Sequence, residues 1–267
     1  MSLPAPYYQD DAVTIYHGDC REIMPEIPMV DLLLTDPPYG IGAARRGRGG
    51  RQDGAAVAPS KDYGDARWDD RPVEDSLIAQ AVARSRWQIV FGGQFYRVLP
   101  PRRCWLVWDK DNGANDYGDC EMAWTNLEGP IRRLRYRWHG MLQEPGRVHE
   151  IREHPMQKPL EVIKWAMLKA PSSERVLDPF MGSGTTLRAA KDLGRKAIGI
   201  EIEERYAEIA ARRMEQEVIP FDHEEQGTRV SGRVLASVEG EESTDADPPM
   251  LDLLGEIRAA RTAKEVR

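Results

Sequence analysis

Three short constellations in this 267-residue chain set carboxylates beside prolines, glycines and an aromatic ring. The first is Asp36-Pro37-Pro38-Tyr39, which ends the apolar run Val30–Thr35. Two prolines cannot continue a central strand, so the chain must leave the sheet here with fixed geometry, holding the carboxylate and the ring at its rim. A turn alone explains the prolines but has no use for an acid and an aromatic residue flanking them. The second constellation runs from Val176 to Thr186, a buried strand that ends in Asp178-Pro179-Phe180-Met181 and turns through Gly182-Ser183-Gly184 into Thr185-Thr186. Gly182 and Gly184 let the backbone approach a ligand closely, and the following helix N-terminus offers N–H groups to a carboxylate. No Gly-Lys-Ser/Thr follows and the third glycine of the dinucleotide fingerprint is missing, so this is neither a P-loop nor a standard dinucleotide turn. The third is Glu201, closing the run Lys196–Glu201 about twenty residues past the glycine turn, where an acid can bond both hydroxyls of a ribose. An acid that merely opens the following helix is an equally good reading of Glu201.

Alternating strands and helices must position these residues. Apolar runs suited to buried strands are 12–17, 30–35, 87–92, 104–108, 175–179 and 196–201. Helical periodicity covers 73–86, 159–169, 185–193 (closed by Gly194) and 203–215. This alternation predicts an α/β fold with a mostly parallel, doubly wound sheet whose ligands gather at the carboxyl ends of the strands.

Charge divides the chain. Residues 215–267 hold 13 acids and 6 bases, whereas residues 1–214 hold 31 of each, so the whole net charge of −7 lies in the tail. That tail is polar and punctuated by Pro, Gly and Ser, and reads as an acidic, largely disordered extension of a catalytic domain spanning 1–214. Within the domain the bases cluster. Arg45, Arg46, Arg48 and Arg51 lie in a glycine-rich stretch read as a flexible basic loop, 41–72. Arg133, Arg135 and Arg137 alternate with Leu134, Tyr136 and Trp138, which predicts a strand with one basic face. Such a face suits phosphate contact, and equally an ordinary solvated edge. Cys20, Cys104 and Cys120 cannot pair evenly, and no Cys or His shows metal-ligand spacing, so reduced cysteines and no metal are expected. No stretch approaches the ~20 apolar residues of a bilayer span, and the first residues lack a signal-peptide pattern, so a cytoplasmic protein is expected.

Taken in order, Asp36-Pro37-Pro38-Tyr39, His154-Pro155-Met156-Gln157-Lys158-Pro159 and Asp178–Thr186 resemble the motifs of the beta group of S-adenosylmethionine-dependent DNA amino-methyltransferases, over about residues 13–213. In that group the catalytic motif precedes the cofactor motif, so the resemblance implies a circularly permuted Rossmann-like sheet. The strand expected after Glu201 indeed finds a counterpart at 12–17 instead. The resemblance makes S-adenosylmethionine the cofactor and double-stranded DNA the partner, whether in a restriction-modification system or as a free-standing phage enzyme. It assigns Asp36, Pro37, Pro38 and Tyr39 to catalysis on a flipped-out base. It sets Asp19 against the cofactor adenine and Glu201 on the ribose. Asp178, Pro179, Phe180, Gly182 and Gly184 would hold the methionine portion, with Ser183, Thr185 and Lys158 near its carboxylate and His154 and Gln157 in the same wall.

A carbon-5 cytosine methyltransferase is excluded, because that chemistry uses a thiolate presented by a Pro-Cys pair and each cysteine here follows Asp or Arg. Asp in the first position of the tetrapeptide favours N6 of adenine over N4 of cytosine. An RNA or protein methyltransferase, or a non-catalytic DNA-binding subunit, is the further alternative. Target recognition falls to the basic loop and to 109–153, where Trp108, Lys110, Trp124, Arg135 and Trp138 are candidates, although aromatic residues at this density are more often core. The shortness of that region suits a short target, or a homodimer whose second subunit helps hold the duplex.

Overall fold

The computed structural model describes residues 2–40, 71–112, 118–139, 142–143, 150–151, 153–154, 156–171 and 173–216. Arg45, Arg46, Arg48 and Arg51, and all of the expected acidic tail beyond Gln216, lie outside the described residues. Met1–Gln216 forms one compact unit.

The fold is α/β, and its sheet is organised about the run VDLLLT. Val30–Thr35 (β3) pairs in parallel with Ser85–Phe91 (β4) on one side and Arg175–Asp178 (β10) on the other. Both faces of such a strand must be covered, which a continuous apolar run permits. Leu32, Leu33 and Leu34 are accordingly fully buried. Beyond β10 follow Lys196–Glu201 (β11) and Val13–His17 (β2), both parallel, so the first long strand of the chain lies beside the last, with Glu201 opposite His17. Tyr8–Gln9 (β1) caps that edge antiparallel. On the other flank Cys120–Thr125 (β6) runs antiparallel to β4, Trp105–Asp109 (β5) antiparallel to β6, and Arg132–Arg135 (β7) parallel to β5 at the edge. The nine-stranded order is β1-β2-β11-β10-β3-β4-β6-β5-β7, and a two-stranded ribbon joins Trp138–His139 (β8) to Leu142–Gln143 (β9).

Among the described residues, α-helices Cys20–Ile23 (α1), Asp75–Ala83 (α2), Leu160–Lys169 (α3), Thr185–Asp192 (α4) and Glu204–Glu215 (α5) complete the layers. Leu77 and Ile78 of α2 share a core with Met24, Ile27, Leu33 and Val90. Arg188 and Asp192 pair along α4 at 2.8 Å, and Lys164 of α3 reaches Asp192 at 2.7 Å, tying the two neighbouring helices together.

Two expectations need correction. The helix read over 73–86 stops at Ala83, because Ser85 is already in register with Val30 of β3. Strand β6 was not expected at all. CEMAWT offers only a short apolar stretch and a charged Glu121, yet it inserts between β4 and β5, so those two do not touch as strands. The basic strand does form, although its regular part ends at Arg135. Leu134, Tyr136 and Trp138 are buried and Arg133 and Arg135 exposed, as the alternation required.

Gly184 caps α4 with φ +78°, and a β-carbon there would stand 2.8 Å from Ala210 Cβ of α5. Gly184→Ala is therefore expected to destabilise the domain by about 1–3 kcal/mol, from backbone strain plus helix displacement, read as a lower midpoint in urea unfolding.

Candidate functional site

Parallel strands end on one rim of a sheet, and four of them here end in acids or at an acid's doorstep. β2 leads through Gly18 to Asp19, β3 to Asp36, β10 to Asp178 and β11 to Glu201. All four acids line a single cleft of ≈ 670 Å³, together with Tyr39, His154, Gln157, Lys158, Phe180 and Gly182.

The tetrapeptide is clamped. The carbonyl of Pro38 accepts from Tyr96 Oη at 2.8 Å and from the Val73 N–H at 3.2 Å, while Tyr39 bridges Pro72 as the chain returns to α2. Gly92, just after β4, has φ +64°, and a β-carbon there would overlap the Tyr39 ring. Phe95, 48% exposed, stacks on that ring with centroids 5.3 Å apart at 28°. The Tyr39 hydroxyl donates to Asp36 Oδ1. Burial, then the negative Asp36 and Glu121, push this hydroxyl well above the usual phenol range, so it stays a donor.

A partly buried charge cluster, with Lys158 at its buried centre, includes Asp36. Lys158 Nζ lies 2.5 Å from Asp36 Oδ2 and 2.9 Å from Glu121 Oε2, and Lys110 Nζ lies 2.6 Å from Glu121 Oε1. The Lys158 side chain is only 5% exposed, with its ammonium 5.2 Å from the Phe91 ring centroid. Burial alone would lower the Lys158 ammonium, but Asp36 and Glu121 outweigh it and the group is raised. Burial would raise Glu121, yet Lys158 and Lys110 hold it at about 2. Asp36 is raised by burial and by Glu121, with Lys158 pulling the other way.

The glycine turn lines the same cleft. Asp178 accepts from Thr35 Oγ1 at 2.7 Å and from the Phe180 N–H at 3.1 Å, but burial still pushes it up to about 6. Glu201 accepts the N–H groups of Gly182 and Glu203, each at 2.9 Å, and burial pushes it up to about 7. Arg213 of α5 holds the turn from outside, donating to the Ser183 carbonyl at 2.7 Å. Gln157 Oε1 accepts from Ser183 Oγ at 3.3 Å and from the Glu153 N–H at 2.8 Å. The His154 ring packs edge-on to Tyr206 at 4.4 Å and faces Gly182. Thr185 is buried beside the turn, and Pro179 and Phe180 complete the lining.

Several expectations change at this point. Lys158, expected near a cofactor carboxylate, instead has its ammonium on Asp36 and Glu121. Asp19 caps α1, and its carboxylate is already engaged by the Arg21 side chain. Trp108, Trp124 and Trp138 are core residues at 2%, 2% and 5% exposure, with the Trp108 and Trp124 indole N–H groups bonded to Tyr136 and Pro100 carbonyls. Arg133 pairs with Asp109 at 3.7 Å, and Arg135 and Arg137 each reach Asp111 at 2.6 Å, so the basic face is partly neutralised. Tyr96, Gly92, Phe95, Glu121 and Arg213 were not read from sequence, and Lys110, expected as a recognition residue, instead pairs with Glu121. The double glycine after β4 was a signal for the first three; Glu121 and Arg213 had none.

Comparison with known proteins follows the same lines. A family model described as DNA methylase matches residues 107–212. The type II methyltransferase M.ScaI of Streptomyces caespitosus is 28% identical, over 81% of this chain and 86% of that one. The DNA adenine methyltransferase YhdJ of Escherichia coli K12 is 26% identical, over 78% and 84%. These matches support a DNA amino-methyltransferase of the restriction-modification type, within the group of N6-adenine and N4-cytosine methylases. The solved PvuII DNA methyltransferase (cytosine-N4-specific) shares the fold, with TM-score 0.51 and 14% identity over 96% of this chain and 95% of that one. Among the described residues no helix is long and apolar enough to cross a membrane.

The raised Glu201 carboxyl gives the methyltransferase a pH signature. Its folded value of about 7 exceeds the ordinary 4.5, so the folded state binds the proton more tightly. That contribution to stability is complete below about pH 4.5 and is lost as pH rises through about 7. Between pH 5 and 8 the wild type should therefore lose on the order of 1–3 kcal/mol relative to Glu201→Gln, measured by urea unfolding of both proteins at each pH.

Proposed function

We propose that this chain transfers a methyl group from S-adenosylmethionine to the N6 amine of adenine in double-stranded DNA, on a base flipped out of the helix. The observation that carries the reading is Asp36 at the mouth of the cleft, ionically paired, next to the Tyr39 ring and facing the Asp178–Gly182–Glu201 wall. Asp in the first position of the tetrapeptide, and the likeness to a relative described as a DNA adenine methyltransferase, favour adenine.

The lining fits the cofactor. Carboxylates at Asp178 and Glu201, the apolar Phe180 and Ile202, and close backbone at Gly182 suit a nucleoside joined to a charged amino acid. Glu201 would take the ribose, its two backbone N–H donors fixing the carboxylate in place. Asp178, Gly182, Gly184, Ser183 and Thr185 would hold the amino-acid end, with Gln157 and His154 behind Ser183 and Gly182, and Asp19 near the adenine. Bound there, S-adenosylmethionine supplies an electrophilic sulfonium methyl.

An exocyclic amine is a weak nucleophile because its lone pair is delocalised into the ring. Asp36 and the Pro37 carbonyl accept its two N–H groups, drawing the nitrogen towards tetrahedral geometry and aiming its lone pair into the cleft. A carboxylate has about four acceptor sites, so Asp36 can receive the amine while keeping Lys158 and Tyr39. Tyr39, backed by Gly92 and Phe95, offers a face for the base, which offsets part of the few kcal/mol that flipping costs. Arg133, Arg135 and Arg137, with the sequence-assigned Arg45, Arg46, Arg48 and Arg51, would meet the DNA backbone. A cytoplasmic setting goes with this substrate.

The test is expression in a host without DNA methylation, followed by single-molecule sequencing. N6-methyladenine in one recurring motif is expected. N4-methylcytosine would overturn the base assignment, and unmodified DNA from cells containing folded protein would turn the reading towards an RNA or protein substrate or a non-catalytic role.

A further inference from the structure

Asp36 does not sit alone on the rim. Its carboxylate is one end of the chain Asp36–Lys158–Glu121–Lys110, with spacings of 2.5, 2.9 and 2.6 Å. Two carboxylates and two ammonium groups sum to zero charge. Only that balance makes a cluster tolerable where water is scarce, since an uncompensated buried ion costs several kcal/mol. The groups come from four separate places in the fold: Asp36 after β3, Lys158 before α3, Glu121 on β6 and Lys110 after β5. Strand β6, unforeseen in the sequence, brings Glu121 to the site.

We propose that Lys158 and Glu121 are positioning residues for methyl transfer: Lys158 keeps Asp36 in the carboxylate form that accepts an amine N–H, and Glu121 draws the same ammonium aside so that it does not saturate Asp36. The inference rests on the reading of Asp36 as the amine acceptor. A protonated Asp36 would carry a donor where an acceptor is needed, and Asp178, which shares the cleft, adds negative charge that works in that direction. The other group facing Asp36 is the Tyr39 hydroxyl, a donor. Lys158 is thus the cation that opposes protonation of Asp36, and Glu121 is its second anchor. Without Glu121 the ammonium would turn wholly onto Asp36 and compete with the substrate amine for the same oxygens.

The two residues therefore push the acid limb of the rate in opposite directions. The experiment measures single-turnover methylation of unmethylated genomic DNA against pH, S-adenosylmethionine affinity by calorimetry, and the Asp36 carboxyl titration by carbon-13 NMR of the protein alone, assigned with Asp36→Asn. Lys158→Met should move the limb and the Asp36 titration to higher pH by more than about one unit, and Lys158→Arg should restore both. Glu121→Gln should move them lower while reducing the plateau rate at least about tenfold. Cofactor affinity should stay within about threefold throughout. If Lys158→Met fails to fold, Lys158→Met/Glu121→Gln removes both charges together and should still move the Asp36 titration upward. An unmoved Asp36 titration, or a limb that stays while cofactor affinity falls more than about tenfold, would overturn the proposal and make Lys158 a cofactor ligand. Titration of the protein alone reads the charge cluster, whereas transfer by the wild type reads the proposed function, so the two can fail separately.

Discussion

A carboxylate partly withdrawn from water at the rim of a sheet is costly unless a cation stands against it, and the buried Lys158 is that cation for Asp36. The requirement propagates. One lysine facing two acids needs Lys110 to balance Glu121, which in turn fixes the end of β5 against β6. The placement of β6 between β4 and β5 then becomes intelligible, because it is the strand that carries Glu121 to the back of the site.

Sheet topology does the rest of the positioning. Because β2, β11, β10, β3 and β4 run parallel, every one of their carboxyl ends opens on the same side. Residues far apart in sequence, Asp19, Asp36, Asp178 and Glu201, thereby meet in one cleft. Small side chains matter where elements come closest. Gly184 admits α5 and Gly92 admits the Tyr39 ring, each with a positive φ that a larger residue would strain to adopt.

The parallel half of this design was legible in the sequence, and so were β5 and the basic strand β7 of the other flank, but β6 was not. Runs such as VDLLLT and KAIGIE are buried on both faces, so composition alone marks them as strands and their terminal acids as rim residues. CEMAWT is half polar because Glu121 serves the ion cluster, and that service erased the apolar pattern by which a strand is found. The same holds for Lys158. The family resemblance placed it near the cofactor carboxylate, whereas its ammonium answers a charge 122 positions away, a pairing that no local pattern encodes. Trp108, Trp124 and Trp138 failed as recognition candidates for the opposite reason: all three find apolar cover, and the Trp108 and Trp124 indoles find carbonyl partners, which residue type alone does not disclose.

The account stands on Asp36 acting in transfer and not in cofactor binding. Its most direct measurement compares Asp36→Ala with the wild type for S-adenosylmethionine affinity and for transfer to unmethylated DNA. Loss of transfer by at least ~10²-fold with affinity preserved is the predicted result. Transfer at the wild-type rate would contradict it, as would loss of cofactor binding in a protein that remains folded.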